Sequence, residues 1–110
     1  MPAPRISVII PTQRRPEGLE TAARSILRQT GIDPERLELV VVDNDLIPSA
    51  HALVMRLSLE APFLVAYVHE PEPGVANARN AAMARATGEL IAFLDDDEEA
   101  PEGWLAALLA

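Results

Sequence analysis

Four short apolar runs, each halted by a polar residue or a proline and each followed by a helical pattern, constrain this chain more than any other feature. Ile6 to Ile10 is β-branched and closed by Pro11. Leu37 to Val42 ends at Asp43, Phe63 to Val68 forms a third run, and Leu90 to Leu94 leads into Asp95-Asp96-Asp97-Glu98-Glu99. Runs of this length and composition read as buried strands. Between them the period changes. Leu19, Ala22, Ala23, Ile26 and Leu27 share one helical face after Pro16, with Gly31 as a stop. Pro48 opens a weaker pattern through Ala50, Leu53, Val54 and Leu57, and Val75 to Ala86 is an alanine-rich helix ended by Gly88. Pro101 opens a last helix through Trp104 and Leu105 to Ala110. The order β-α-β-α-β-α-β-α predicts an α/β domain: a Rossmann-like, mostly parallel sheet with helices on both faces. With 110 residues the chain holds one such domain.

That architecture says where chemistry belongs. Crossover connections bring the carboxyl ends of parallel strands to one edge, and ligands bind in the crevice outside them. Thr12 follows the first strand, Asp43 the second, and Asp95 to Asp97 the fourth. Three polar sites therefore converge.

Composition removes several functions. The net charge is -8, and no basic patch marks a nucleic-acid partner. All nine basic residues are arginine. Without lysine, P-loop, Schiff-base and pyridoxal phosphate chemistry are excluded. Without cysteine, disulfides and thiolate sites are excluded. The five glycines never form the dinucleotide-binding Gly-x-Gly-x-x-Gly spacing. A receiver or a haloacid-dehalogenase phosphatase would also need a lysine; a sugar-nucleotide pyrophosphorylase-like domain stays as an alternative, although the first loop lacks the glycine-rich, lysine-bearing pattern of those enzymes. No apolar run approaches the ~20 residues of a membrane helix, and Met1 to Arg5 lacks the apolar stretch of a leader, so the expected compartment is the cytoplasm. The last residues, Leu105 to Ala110, run out as apolar helix without a cap and read as a truncation.

An acidic chain that binds an anion needs a bridge between like charges, and a divalent cation supplies one. Adjacent carboxylates repel, and Mg2+ or Mn2+ relieves that repulsion with oxygen ligands. In an Asp-x-Asp arrangement, Asp95 and Asp97 both face the crevice while Asp96 points elsewhere. A solvated acidic turn before the helix at Pro101 explains the same run. Asp43-Asn44 reads either as an Asx turn or as a carboxylate that meets a nucleobase. Arg79 reads as a surface arginine or a ligand contact. Asn77 and Asn80 cost helix propensity in an alanine-rich helix, which calls for hydrogen bonds to the Asp43 loop or to a ligand. Arg14 and Arg15 lie on the first loop, within reach of a diphosphate or simply at the surface. His51 and His69 lack metal-pair spacing, and Trp104 reads as core or as a sugar platform.

Ser7-Val8-Ile9-Ile10-Pro11-Thr12, Val41-Val42-Asp43-Asn44, Gly74 with Ala78-Arg79-Asn80, and Thr87-Gly88-Glu89-Leu90-Ile91-Ala92-Phe93-Leu94-Asp95-Asp96-Asp97 together resemble family 2 glycosyltransferases. The likeness runs along nearly the whole chain. It implies that residues 1–110 are the donor-binding half of a glycosyltransferase-A fold. It further implies an inverting, metal-dependent enzyme that uses a nucleoside diphosphate sugar, with UDP as the expected nucleotide and Mn2+ or Mg2+ as cofactor. Carried over, Thr12 and Asp43 would contact the nucleobase region and Arg79 would lie beside the nucleotide. Asp95 would reach the ribose, with Asp96 in the same nucleotide-binding set, and Asp97 with Asp95 would hold the metal. The acceptor site and the general base lie downstream of the triple aspartate in that family, so the chain alone is expected to bind donor weakly and not to transfer sugar. The resemblance leaves acceptor and membrane association open. Two departures stand out: Gln13-Arg14 where an aromatic and an asparagine are common, and Asn44-Asp45-Leu46-Ile47-Pro48 in place of a Gly-Ser-x-Asp run. A binding module that kept the fold without the chemistry is the rival, and metal dependence separates the two.

Overall fold

The computed structural model describes residues 5–110. The expectation that Met1 to Arg5 lacks a leader falls, but for Arg5, outside them. Four parallel strands form one sheet in the order β3-β2-β1-β4. They are β1 (Ile6–Thr12), β2 (Leu37–Asp43), β3 (Leu64–His69) and β4 (Leu90–Phe93). The helices are α1 (Pro16–Leu27), α2 (His51–Glu60), α3 (Val75–Arg85) and the short α4 (Trp104–Leu109), with a 3-10 turn at Pro34–Arg36. The predicted alternation and the α/β class hold. Boundaries shift by a few residues, most at α2 and α4, which begin three residues after the prolines expected to open them.

Strand β1 continues through Pro11. The reason is positional. The Ile9 carbonyl accepts from Leu94 N–H on the β4 side, and the Thr12 carbonyl accepts from Asn44 N–H on the β2 side. Alternation puts Pro11 on the β4 side, beyond the last β1–β4 pair at Ile9 and Phe93, so its missing N–H breaks no ladder bond.

Both faces are covered. Val8, Ile10, Leu39 and Val41 face α1, α2 and the α4 region, where Leu19, Ile26, Leu53, Leu57 and Leu105 complete the main core. Burying each of Leu19 and Ile26 contributes about 1.5–3 kcal/mol. Ile9, Val40, Val42 and Ala66 face α3. There Ala78 and Ala82, one turn apart, let the helix backbone lie close to the sheet.

Glu38 is buried on the α3 face near the amino ends of the strands. Its Oε2 accepts from Ser7 Oγ (2.6 Å) and from the backbone N–H (2.6 Å) and hydroxyl (3.0 Å) of Thr87. Gly88 N–H in turn donates to Ser7 Oγ at 2.8 Å. This network fastens the turn that launches β4. Burial pushes the Glu38 carboxyl up, but the Ser7 and Thr87 donors outweigh it and hold it below its ordinary value.

The chain runs β1, β2, β3 in one direction, then crosses to place β4 on the other side of β1. The strand order thus reverses between β1 and β4, which is where an open α/β sheet forms its crevice.

Candidate functional site

Register decides which side chains meet at that crevice. Thr12 pairs with Asp43, and Asp43 pairs with His69, so three strand ends lie level. Strand β4 stops at the level of Ile9, so the acidic turn after it climbs beside Pro11 and Thr12. A crevice of about 410 Å3 opens there. Thr12, Gln13 and Arg15 line it from the β1–α1 loop, Asn44 from β2–α2, Val75, Ala78 and Arg79 from α3, and Phe93 with Asp95 to Asp97 from β4. A second cavity of about 500 Å3 lies at the opposite edge of the sheet, where Glu38 Oε2 is engaged by the network already described and Oε1 is buried without a partner among the described residues.

The acidic turn is held rigidly against α1. Gly18 approaches the Asp96 carbonyl so closely that a Cβ there would collide with it. Ser25 Oγ accepts from Ala100 N–H at 3.0 Å, Gln29 Oε1 accepts from Leu105 N–H at 2.9 Å, and the Glu102 carbonyl accepts from Thr30 N–H at 2.8 Å. Asp96 folds back onto the first loop, where its Oδ2 accepts from Thr12 Oγ1 at 3.0 Å and its Oδ1 lies 3.9 Å from Arg15. Asp95 and Asp97 are exposed, and among the described residues no donor reaches either carboxylate.

Two arginines balance this charge. The Arg79 guanidinium lies 5.0 Å from the Phe93 ring centroid, a cation–π contact of about 0.5–1 kcal/mol at an exposed position. The contact spans from α3 to β4 across the crevice. The amino end of α3 also opens onto it through Val75, adding the partial positive charge of a helix terminus.

Among the described residues, no group of three or more potential metal ligands converges. The protein therefore offers the Asp95–Asp97 pair and not a closed cage. That donor set fits a hard cation such as Mg2+, which takes one or two carboxylates and fills its other positions with phosphate and water.

The structure departs from expectation at Asp43. Its side chain is fully buried and points away from the crevice, toward α2. Oδ2 accepts from Tyr67 OH (2.7 Å) and Ala50 N–H (2.8 Å), and Oδ1 from Asp45 N–H (3.3 Å). Its carboxylate has no surface left for a base. Burial, followed by the bond to Asp43, pushes the Tyr67 phenol well above its ordinary value. Asn44 is the residue that reaches the crevice. Its Nδ2 donates to the carbonyls of Glu70 and Glu72, both at 2.7 Å, and its Oδ1 accepts from Gly74 N–H. The dipeptide was visible in the sequence, but which of the two faced the crevice depended on strand register.

The remaining candidates separate. Arg15 lines the crevice, while Arg14 turns away and its Nε donates to both oxygens of buried Asp45 at 3.0 and 3.1 Å. The Ser49 hydroxyl, and then Arg14 and Leu46 N–H, hold the Asp45 carboxyl below its usual range against the opposing effect of burial. Asn77 caps locally onto the Pro73 carbonyl and does not reach the Asp43 loop. His51 packs edge-on against Tyr67, His69 Nε2 meets the Asp45 carbonyl, and Trp104 packs on the main core. Gln13, noted in the sequence as a departure, lines the crevice, and so does Phe93, which was not singled out because a lone phenylalanine carries no motif by itself.

Comparison with known proteins shows the family and the fold. The succinoglycan biosynthesis protein ExoM of Rhizobium meliloti is 44% identical over 104 residues, covering 94% of this chain and 33% of its own length. Among solved structures, the mannosyltransferase PcManGT from Pyrobaculum calidifontis, in complex with GDP-Man and Mn2+, superposes with a TM-score of 0.80 at 33% identity. That match covers 89% of this chain and 29% of the other. S. aureus TarS 1-349 in complex with UDP-GlcNAc matches with a TM-score of 0.73 and 26% identity, over 94% of this chain and 30% of that one. The chain thus spans about a third of the length of these relatives. The fold is the glycosyltransferase-A fold that the resemblance implied. The description "Glycosyl transferase family 2" matches residues 7–110, and the chain belongs to that family.

Proposed function

We propose that this chain is the donor-binding portion of an inverting, metal-dependent glycosyltransferase that takes its sugar from a nucleoside diphosphate. The observation that supports this most is that Asp95 and Asp97, exposed and without a donor on either carboxylate among the described residues, line the same crevice as Arg79 and Arg15. Asp97, with Asp95, would hold Mn2+ or Mg2+, and the ion would neutralise charge on the departing diphosphate. Arg79 and Arg15 approach the same diphosphate from the two walls. Thr12 and Asn44 form the floor on which the nucleoside rests, and Asp96 holds Thr12 in place. An acceptor hydroxyl would attack the anomeric carbon from the side opposite the diphosphate, which is the geometry of inversion. Related structures carry a guanosine or a uridine nucleotide. UDP is the nucleotide to test first, with GDP as the competitor.

Calorimetric titration of UDP and of GDP, with Mn2+ and then with a chelator, tests this reading. Binding should require the metal, and Asp97→Ala should lose it while keeping the fold. An Asp97→Ala protein that binds with unchanged affinity and unchanged Mn2+ dependence would refute the metal assignment. Nucleotide binding without any metal dependence, or none from folded protein, would favour a module that has kept the fold alone.

A further inference from the structure

Arg14 has φ +53°, the one left-handed residue other than glycine among those described. That conformation brings Cβ against the following carbonyl, so a residue with a side chain stays there only when its surroundings hold it. What holds it is visible. Nε donates to both oxygens of Asp45, whose side chain is 1% exposed and also accepts from Ser49 Oγ and Leu46 N–H. The Asp45 carbonyl meets His69 Nε2 at 2.9 Å, tying the same residue to the end of β3. A buried carboxylate on the β2–α2 loop therefore sets the backbone of the β1–α1 loop. On either side of Arg14 in that loop stand Gln13 and Arg15, both in the crevice lining, from which Arg14 itself is absent.

We propose that Arg14 and Asp45 are positioning residues for the donor: their ion pair fixes the β1–α1 loop so that Gln13 and Arg15 face the nucleotide. The inference rests on the donor-site reading above. It assigns a task to one residue in each of the two segments at which this chain departs from the loops of the family it resembles. The strained backbone and the buried charge are then two halves of one device, in which the side chain on one loop dictates the peptide geometry of the other. Backbone rigidity at the ligand, not an extra contact with it, is the product.

Glycine provides the decisive variant, because it adopts the left-handed conformation freely and lacks the guanidinium. Arg14→Gly should keep its melting temperature within a few degrees, since backbone relief works against the loss of the exposed guanidinium while Ser49 and Leu46 still donate to buried Asp45. Its affinity for Mn2+–UDP should nevertheless fall roughly tenfold, the scale on which supporting residues act. Arg14→Lys should recover part of the loss, and the amides of Gln13 and Arg15 should become more mobile by 15N relaxation in Arg14→Gly. Wild-type affinity in Arg14→Gly would overturn the proposal, as would a loss that follows melting temperature alone. Wild-type protein that binds no nucleotide would refute the donor-site reading and the positioning role with it, and altered amides would then mark the pair as structural only.

Discussion

Substituting Gly18 by alanine sets two well-characterised effects against each other. Gly18 lies in the first turn of α1, where alanine gains up to about 1 kcal/mol of helix propensity. An added Cβ would collide with the Asp96 carbonyl oxygen and lie 3.5 Å from its carbon. The obstacle is backbone, and it cannot rotate aside. It is also held elsewhere, by Thr12 on Asp96 and by Ser25 on Ala100. Forcing extra volume into a packed contact costs about 1–3 kcal/mol. The net expectation is a loss of about 1 kcal/mol, which lowers the melting temperature by roughly 4–8 °C in a domain of this size. Relief comes chiefly from moving the Asp95–Asp97 backbone away from α1, so Mn2+-dependent UDP affinity should fall as well. Gly103→Ala is the control, because a Cβ there meets nothing within 4 Å. Thermal unfolding by circular dichroism and calorimetric titration read the two effects. A Gly18→Ala protein that melts higher than the parent and binds UDP equally well would show that the acidic turn is not braced by α1, and the reasoning would fail.

Ser7→Ala orphans Gly88 N–H and removes a donor from buried Glu38, so it should destabilise the fold by about 1–3 kcal/mol in denaturant titration. The folded Glu38 carboxyl titrates below its ordinary 4.5, so the network's contribution is complete above that pH and is lost as pH falls below it. Glu38→Gln should accordingly flatten the acid limb of the stability curve, and an unchanged limb would contradict this. Asp43→Asn can keep one oxygen for Tyr67 OH and Ala50 N–H but turns its NH2 against Asp45 N–H, and should lower stability and weaken UDP and pyrophosphate binding alike. A selective loss of UDP would restore a direct base contact for Asp43.

The alternation of strands and helices was legible because a sheet covered on both faces leaves its strands almost wholly apolar. The location of the crevice was legible too, since parallel crossovers put Thr12, Asp43 and Asp95 on one edge whatever their side chains do. The facing of individual residues was not. Asp43 and Asn44 are chain neighbours on opposite sides of one strand end, and period-two alternation could be assigned only once the register with β1 was known. Contacts that span the molecule were equally hidden. Thr12 meets Asp96 across 84 positions, and Arg14 meets Asp45 across 31. Polar pairs at such separations leave no periodic trace. The extension of β1 through Pro11 was missed for a related reason, because a proline's effect depends on which neighbour its absent N–H would have faced.

The interlocking of the crevice rim bears on how donor preference can be changed. Asn44 clasps the β3–α3 turn through Glu70, Glu72 and Gly74, while the adjacent Asp45 clasps the β1–α1 loop through Arg14. Two consecutive residues thus join three loops that a designer would treat as separate modules. A graft of either outer loop from a relative severs the bonds that tie it to the β2–α2 loop, and a graft of that middle loop severs both sets. Chimeras of this scaffold should therefore exchange all three loops as one cassette, with residues 44 and 45 carried along as its keystone.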